Sequence, residues 1–150
     1  MSFSRQQPMG VNFVPAYEIS GVPYVTSSAE NEVTTSALRI NFPFVTRWVE
    51  VVNTGDSPLR IGFSANGVIG QGASVSGSKH ESTANHANYF VLETSGSTSQ
   101  ARCRWELRCS DIFFATKGGT SSFSLVAGLT GIPKKQLLTL TGSDGFVGIG

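Results

Sequence analysis

Two histidines and two cysteines are the side chains of this sequence best suited to metal binding or nucleophilic chemistry. His80 and Glu81 resemble the start of the zinc-protease motif HExxH, in which both imidazoles must lie on one face of a helix. The second imidazole, His86, comes six positions after the first, in a Ser-, Asn- and Gly-rich stretch that does not favour a helix. Two histidines are also too few for a three-histidine cupin site. We therefore predict no metal site.

The sequence also disfavours covalent catalysis and cofactor binding. A serine nucleophile of the Gly-x-Ser-x-Gly type needs two glycines between a strand and a helix, and residues 72–76 lack the second one. Cys103 and Cys109 fall on the inward face of a predicted strand, which a catalytic thiol would have to leave. The Gly-rich residues 67–72 have no predicted helix after them that could bind a phosphate. We predict no catalytic residue, no cofactor and no enzymatic activity.

Both cysteines belong to the segment with the clearest strand pattern, which extends from residue 102 towards residue 115. Apolar and charged side chains alternate there: Cys103, Trp105, Leu107 and Cys109 against Arg102, Arg104, Glu106 and Arg108. This period of two is typical of a half-buried β-strand. Six residues of strand would hold the cysteines ~20 Å apart, beyond the ~7 Å limit for a disulfide. We expect two free thiols, with Trp105 in the core between them, and a reducing compartment.

The opposite face of this segment presents Arg102, Arg104 and Arg108. Nucleic-acid binding is disfavoured, because 11 basic and 10 acidic residues leave a net charge of only +1. Pairing with acidic residues on a neighbouring strand, or a contact between subunits, explains the arginines better. We select Arg102 and Arg104 as candidate assembly contacts.

Short strand patterns recur along the chain, with turn signals at residues 53–58 and a tight turn at 65–67. A hairpin loop is predicted at residues 117–120. Predicted strands cover residues 22–27, 36–41, 45–53, 58–64, 88–94, 102–109, 111–115 and 121–130, with an optional ninth at 136–141. No segment has a convincing helical pattern, and the connections are too short for parallel crossovers. The sequence therefore predicts an all-β sandwich of eight or nine antiparallel strands. A jelly roll or an immunoglobulin-like fold would fit, but the Cys–Trp–Cys spacing of immunoglobulins is absent, so we predict a single jelly roll.

The 150 residues are divided into an N-terminal arm (1–20), a jelly-roll domain (21–141) and a mobile C-terminal tail (142–150). Prolines interrupt the arm, yet Phe3, Phe13 and Tyr17 are too apolar for a solvated tail, so we expect them to be assembly contacts. No apolar run approaches the ~20 residues that span a bilayer. The polar loop at 70–87 is long enough to be functional.

Five segments between residues 42 and 132 resemble, in the same order, the penton proteins of large icosahedral nucleocytoplasmic DNA viruses. They are FPFVTRWVEVVNTG (42–55), LRIGFSANGV (59–68), NYFVL (88–92), LRCSDIFF (107–114) and SFSLVAGLTGI (122–132). The resemblance implies a single jelly roll, five copies of which close each fivefold vertex of a capsid. It also implies contacts with the major and minor capsid proteins, assembly in the host cytoplasm and a location in the virion capsid.

A second hypothesis remains open from the residues alone. A lectin-like or receptor-binding β-sandwich could use the hydrogen-bonding side chains of the 70–87 loop to recognise a carbohydrate or a host surface.

Overall fold

The computed structural model describes residues 21–69, 88–94 and 101–137. One short helix, α1 (Ala65–Ile69), follows the fourth strand, and a 3-10 turn (Lys134–Gln136) follows the last. The eight strands are β1 (Val22–Ser27), β2 (Leu38–Asn41), β3 (Phe44–Asn53), β4 (Leu59–Gly62), β5 (Phe90–Leu92), β6 (Arg102–Trp105), β7 (Asp111–Thr116) and β8 (Phe123–Pro133). The predicted all-β class is confirmed. The arm, the 70–87 loop, the C-terminal tail and most of the optional ninth strand lie outside the described residues.

The strands form two four-stranded antiparallel sheets. The first sheet has the order β1-β8-β3-β6 and the second the order β2-β7-β4-β5. The pairs β1·β8, β2·β7, β3·β6 and β4·β5 are nested, as if the first four strands lay along the last four in one long ribbon. The additional pairs β3·β8 and β4·β7 fold that ribbon into two sheets. This order is consistent with the winding of a jelly roll.

The inward faces of the two sheets enclose one apolar core. The alternation predicted for the last strand is found, since Phe123, Leu125, Ala127 and Leu129 are all buried. Phe114 of the second sheet stacks on Phe123 of the first, with 4.1 Å between ring centroids. Burying each of these phenylalanine and leucine side chains stabilises the fold by about 1.5–3 kcal/mol.

Aromatic pairs lie at both lateral sides of the sandwich. At the side formed by the outermost strands β1 and β2, called the β1/β2 side, Tyr24 lies edge-on to Phe42 at 5.1 Å between centroids. At the opposite side, called the β5/β6 side, Phe90 lies edge-on to Trp105 at 5.4 Å. Such geometry suits the ring quadrupole. Phe90 and Trp105 link the outermost strands of the two sheets, whereas Phe42 lies in the connection between β2 and β3.

The hairpin predicted at residues 117–120 is wrong. Strands β7 and β8 belong to different sheets, and the chain between them crosses from one sheet to the other. The glycines indicated correctly that the chain must turn, and Gly119 has a φ of +73°. Turn residues alone do not reveal whether the flanking strands pair with each other, and here β8 pairs with β1 and β3 instead.

The tight turn predicted at residues 65–67 is also wrong, because helix α1 occupies this position. The Ser64 hydroxyl accepts a hydrogen bond from the Gly67 amide at 2.9 Å, as a capping residue does at a helix start. Val68 is buried, so the helix covers part of the core. The preceding strand, predicted to reach residue 64, ends at Gly62.

The long strand predicted over residues 102–109 ends early, at Trp105. Beyond it the chain pairs irregularly with the start of β3, where the ladder to β8 contains two register shifts between Phe44 and Trp48. The Thr46 amide donates to the Cys109 carbonyl at 3.0 Å, and the Cys109 amide donates to the Thr46 hydroxyl at 3.0 Å. The alternation of exposure nevertheless continues to Cys109, which is why the sequence pattern exceeds the ladder.

A buried asparagine at the end of β3 joins the two sheets. The Asn53 side-chain amide lies within donating distance of three carbonyl oxygens, those of Ser57 at 2.9 Å, Leu92 at 3.2 Å and Glu93 at 3.1 Å. Leu92 ends β5 in the second sheet, whereas Asn53 belongs to the first. The amide therefore ties the crossing after β3 to the opposite sheet.

The carbonyl oxygen of the same side chain contacts the link in which the chain crosses from β7 to β8. Asn53 Oδ1 accepts from the Gly55 amide at 3.0 Å and from the Ser121 hydroxyl at 2.9 Å. Ser121 lies in the link between β7 and β8 and is fully buried. Both donor and acceptor capacity of the asparagine are thus used. We refer to Asn53, Gly55, Ser57 and Ser121 as the crossing cluster.

Substituting Asn53 should weaken the whole fold. Asn53→Ala removes the side-chain partner of the Leu92 and Glu93 carbonyls and of the Gly55 amide, which costs about 2–3 kcal/mol of unfolding free energy. Urea denaturation measures this value. Asn66→Ala, at an exposed asparagine of α1, is the matched control and should change stability by less than ~0.5 kcal/mol. Equal stability of both variants would show that the crossing cluster is not a structural link.

Candidate assembly surface

The arginines selected from the sequence lie on the outer face of the first sheet and pair with acidic residues. Arg102 Nε lies 3.1 Å from Glu50 Oε1, and Arg104 Nη1 lies 3.9 Å from Glu50 Oε2. Glu50 is directly opposite Arg104 in the β3–β6 ladder. A second acid, Glu106, receives Arg104 Nη2 at 3.1 Å. The expected cross-strand pairing is therefore present.

These ion pairs position the guanidinium groups without burying them. The Arg102 side chain remains 72% exposed although it contacts Glu50. Exposed pairs of this kind stabilise a fold by only about 0–1 kcal/mol. Arginine has five N–H donors, so Arg102 keeps donors available to a partner molecule.

An aromatic side chain extends this outer face towards β8. The Arg104 guanidinium carbon lies 4.3 Å from the centroid of the Trp48 ring, a cation–π distance. The indole rests on Gly128, where any larger residue would overlap the ring. Two valines on the same face, Val126 and Val25, continue the surface to the outermost strand β1. The outer face thus combines an apolar strip with charged groups at one side.

Four large apolar side chains that are exposed in the described residues lie at the two lateral sides of the sandwich, and a further one, Phe44, begins β3. Val22 and Val25 are 62% and 72% exposed on β1, and Phe90 and Val91 are 51% and 41% exposed on β5. A single exposed apolar residue is normal, whereas adjacent ones form patches that commonly mark contacts between proteins. In each pair the two side chains point to opposite faces of their strand. The protein therefore has two separate patches, one on each side, each formed by apolar side chains on both faces of an outermost strand.

Both cysteines are free thiols, as predicted. Burial raises the pKa of the Cys103 thiol to about 11, opposed by a hydrogen bond involving Val51. Burial likewise raises the pKa of Cys109 to about 11, although the Thr46 hydroxyl, 3.3 Å from its sulfur, lowers it. Neutral buried thiols are poor nucleophiles. The position expected for Trp105 was partly wrong, because the indole is half-buried at the edge of the core instead of lying inside it.

A polar cluster on the outer face of the second sheet has a structural explanation. Burial alone would raise the pKa of Asp111, yet hydrogen bonds from Arg39, Asn41 and Ser110 outweigh it and lower the pKa. Arg39 Nη2 lies 2.7 Å from the carboxylate, which raises the pKa of the guanidinium. Lys134 donates to Asn41 from the turn after β8. These contacts join β2, β7 and the end of β8. The Asp111 carboxylate therefore stabilises the fold.

Several sequence predictions concern residues that the structure does not describe. His80, His86 and the 70–87 loop lie outside the described ranges, as do the arm residues Phe3, Phe13 and Tyr17. Within residues 21–69, 88–94 and 101–137, no three His, Cys, Asp or Glu side chains are grouped as metal ligands would be. No helix in the described part of the chain has the length and apolarity to cross a bilayer.

Comparison with known proteins adds no relative to this picture. No protein family, no curated protein and no solved structure matches the chain.

The thiols should be nearly inert in the native protein. At pH 8, well below a pKa of about 11, a thiol reagent should modify Cys103 slowly and Cys109 more slowly still, because Cys109 is the more buried. Two thiols should react at once after denaturation in guanidinium chloride. Cys103→Ser, which leaves a single slow thiol, identifies the order. A disulfide in the intact protein, or rapid reaction of both thiols, would contradict this assignment.

Proposed function

We propose that this chain is a structural capsid protein that forms a homopentamer at the fivefold vertices of an icosahedral double-stranded DNA virus. The observation that carries the proposal is the ordered resemblance of five segments to penton proteins. In the fold these segments fall on β3 with its following turn, on β4 and α1, on β5, on the approach to β7, and on β8. A resemblance that follows the strands in order is what a shared fold would produce.

The chemistry of the described residues agrees with a structural function. The two thiols are protonated and held in apolar surroundings. Glu50 and Asp111 are engaged in ion pairs across strands. Buried free thiols also suit assembly in a reducing host cytoplasm. Charged and apolar groups are instead available on the outer face and at both sides, where a neighbouring subunit could contact them.

The expected partners are further copies of the chain, the major capsid protein and minor capsid proteins. Arg102 and Arg104 are positioned on the first sheet for such contacts. The apolar arm residues Phe3, Phe13 and Tyr17 supply additional contacts in this proposal. The protein then resides in the virion capsid and has no catalytic, metal or cofactor site.

The mass of the purified protein in solution tests this proposal. Native mass spectrometry should give a species of five times the 15.9 kDa chain mass. The protein should also be found in purified virus particles at a constant ratio to the major capsid protein. A strictly monomeric chain that is absent from particles would contradict the proposal.

Arg102→Ala should weaken assembly more than folding. Removing a cation from the edge of a contact should raise the dissociation constant of the oligomer by about two- to fivefold, the scale of an exposed ion pair. The effect should shrink in high salt, and sedimentation at several salt concentrations measures it. Lys117→Ala, which removes the same charge from the exposed link between β7 and β8, is the control. Equal behaviour of the two variants would remove Arg102 from the contact.

A further inference from the structure

We propose that a second copy of this chain docks its β1/β2 side against the β5/β6 side, and that this head-to-tail contact repeats around the ring. The inference rests on the proposed homo-oligomer and assigns its contact surfaces. A contact between two different surfaces of the same chain can close into a ring, whereas a self-complementary contact closes as a dimer. The two patches are therefore the feature that a ring requires.

The patch on the β1/β2 side belongs to an outermost strand. Among the described strands, β1 pairs with β8 only, so its other edge has no partner in the sheet. Val22 and Val25 project apolar side chains from opposite faces of this strand, and Pro23 between them is exposed as well. An apolar edge strand that stays uncovered favours association with another chain.

The patch on the β5/β6 side is aromatic. Phe90 is opposite the buried Ile61 in the β4–β5 ladder, and therefore on the inward face, yet it remains half exposed at the outermost position of its sheet. Trp105 of the other sheet contacts it edge-on. The pair leaves one aromatic surface at this side, and Val91 lies on the other face of β5, opposite Arg60. Aromatic side chains are enriched in the centres of protein contacts.

The two patches lie at the same level along the strands. Following the ladders across the first sheet, Tyr24 is opposite Ala127, Ala127 opposite Val49, and Val49 opposite Trp105. Tyr24 lies between Val22 and Val25, so both valines are within two residues of the level of Trp105. Rotation about an axis parallel to the strands preserves this level. The valines of one copy would then meet the aromatic pair of the next.

The charges at one end of the sandwich are complementary in the same arrangement. The next ladder positions place Arg102 level with Ser27, through Val52 and Ser124. Two exposed acids, Glu30 and Glu32, follow Ser27 on the β1/β2 side. In the proposed contact they approach Arg102 of the neighbouring copy, and opposite charges at an edge favour correct encounter.

Two variants, one in each patch, test the assignment. Val25→Glu and Phe90→Glu each place a charge in one patch and leave the other intact. Each variant alone should be a monomer by native mass spectrometry, because every contact then lacks one surface. An equimolar mixture should form a dimer of the two variants and no larger species, since only one intact contact can be made. Val91→Glu replaces Phe90→Glu if circular dichroism shows that the latter is unfolded.

Lys117→Glu is the control for the introduced charge and should form an oligomer with the same number of chains as the unmodified protein. A ring that survives both patch variants would overturn the assignment, as would a dimer formed by Val25→Glu alone. The first result would also follow if residues 1–20 of the same chain cover the β1/β2 side. A ring that survives both variants would leave the proposed homopentamer in place and reject only these contact surfaces. An unmodified protein that is monomeric would instead remove the proposed function together with the surfaces.

Discussion

The crossing cluster is the constraint on which the two-sheet arrangement depends. An antiparallel ribbon can enclose a core only if the chain passes from one sheet to the other, and every such passage takes polar backbone groups past the apolar interior. Asn53 satisfies such groups at the crossing after β3, and its hydrogen bond with Ser121 joins that crossing to the one after β7. The strands on either side are then held in the register that turns Phe123 and Leu125 inward.

The strand positions could be predicted because alternation of apolar and polar residues reports burial directly. Strand β1 occupies the predicted residues 22–27, and the inward face of β8 is the predicted one. The same signal made the predicted strand at residues 102–109 too long. Exposure continues to alternate beyond Trp105, where the ladder has become irregular. Burial is a property of each side chain and its surroundings, whereas a ladder depends on a partner strand.

Tertiary features were predicted less well for a related reason. The glycines at residues 118 and 119 require a turn, but the partner of each flanking strand is set by the rest of the sheet. Helix α1 is only five residues long, too short for a helical period to be recognised. In the candidate surface, the pairing of Arg102 and Arg104 with acids was predictable from alternating charge, while the identity of Glu50 as their shared partner required the register.

The proposed function depends on the outer surfaces of the sandwich. The interior of the described sandwich contains thiols that burial keeps protonated, and its polar groups serve the fold. Exposed apolar side chains occur together with exposed charges at the two sides and on the outer face of the first sheet. The two sides are also chemically different, one with aliphatic side chains and nearby acids, the other aromatic with nearby arginines. Different but complementary sides are suited to repeated contacts around an axis, which is the function proposed for this chain.

Cryo-electron microscopy of the assembled protein would show whether these sides meet. We expect five copies around one axis, with Val25 of each copy against Phe90 and Trp105 of the next. Single separate chains, or a ring whose contacts leave both of these sides open to solvent, would contradict it.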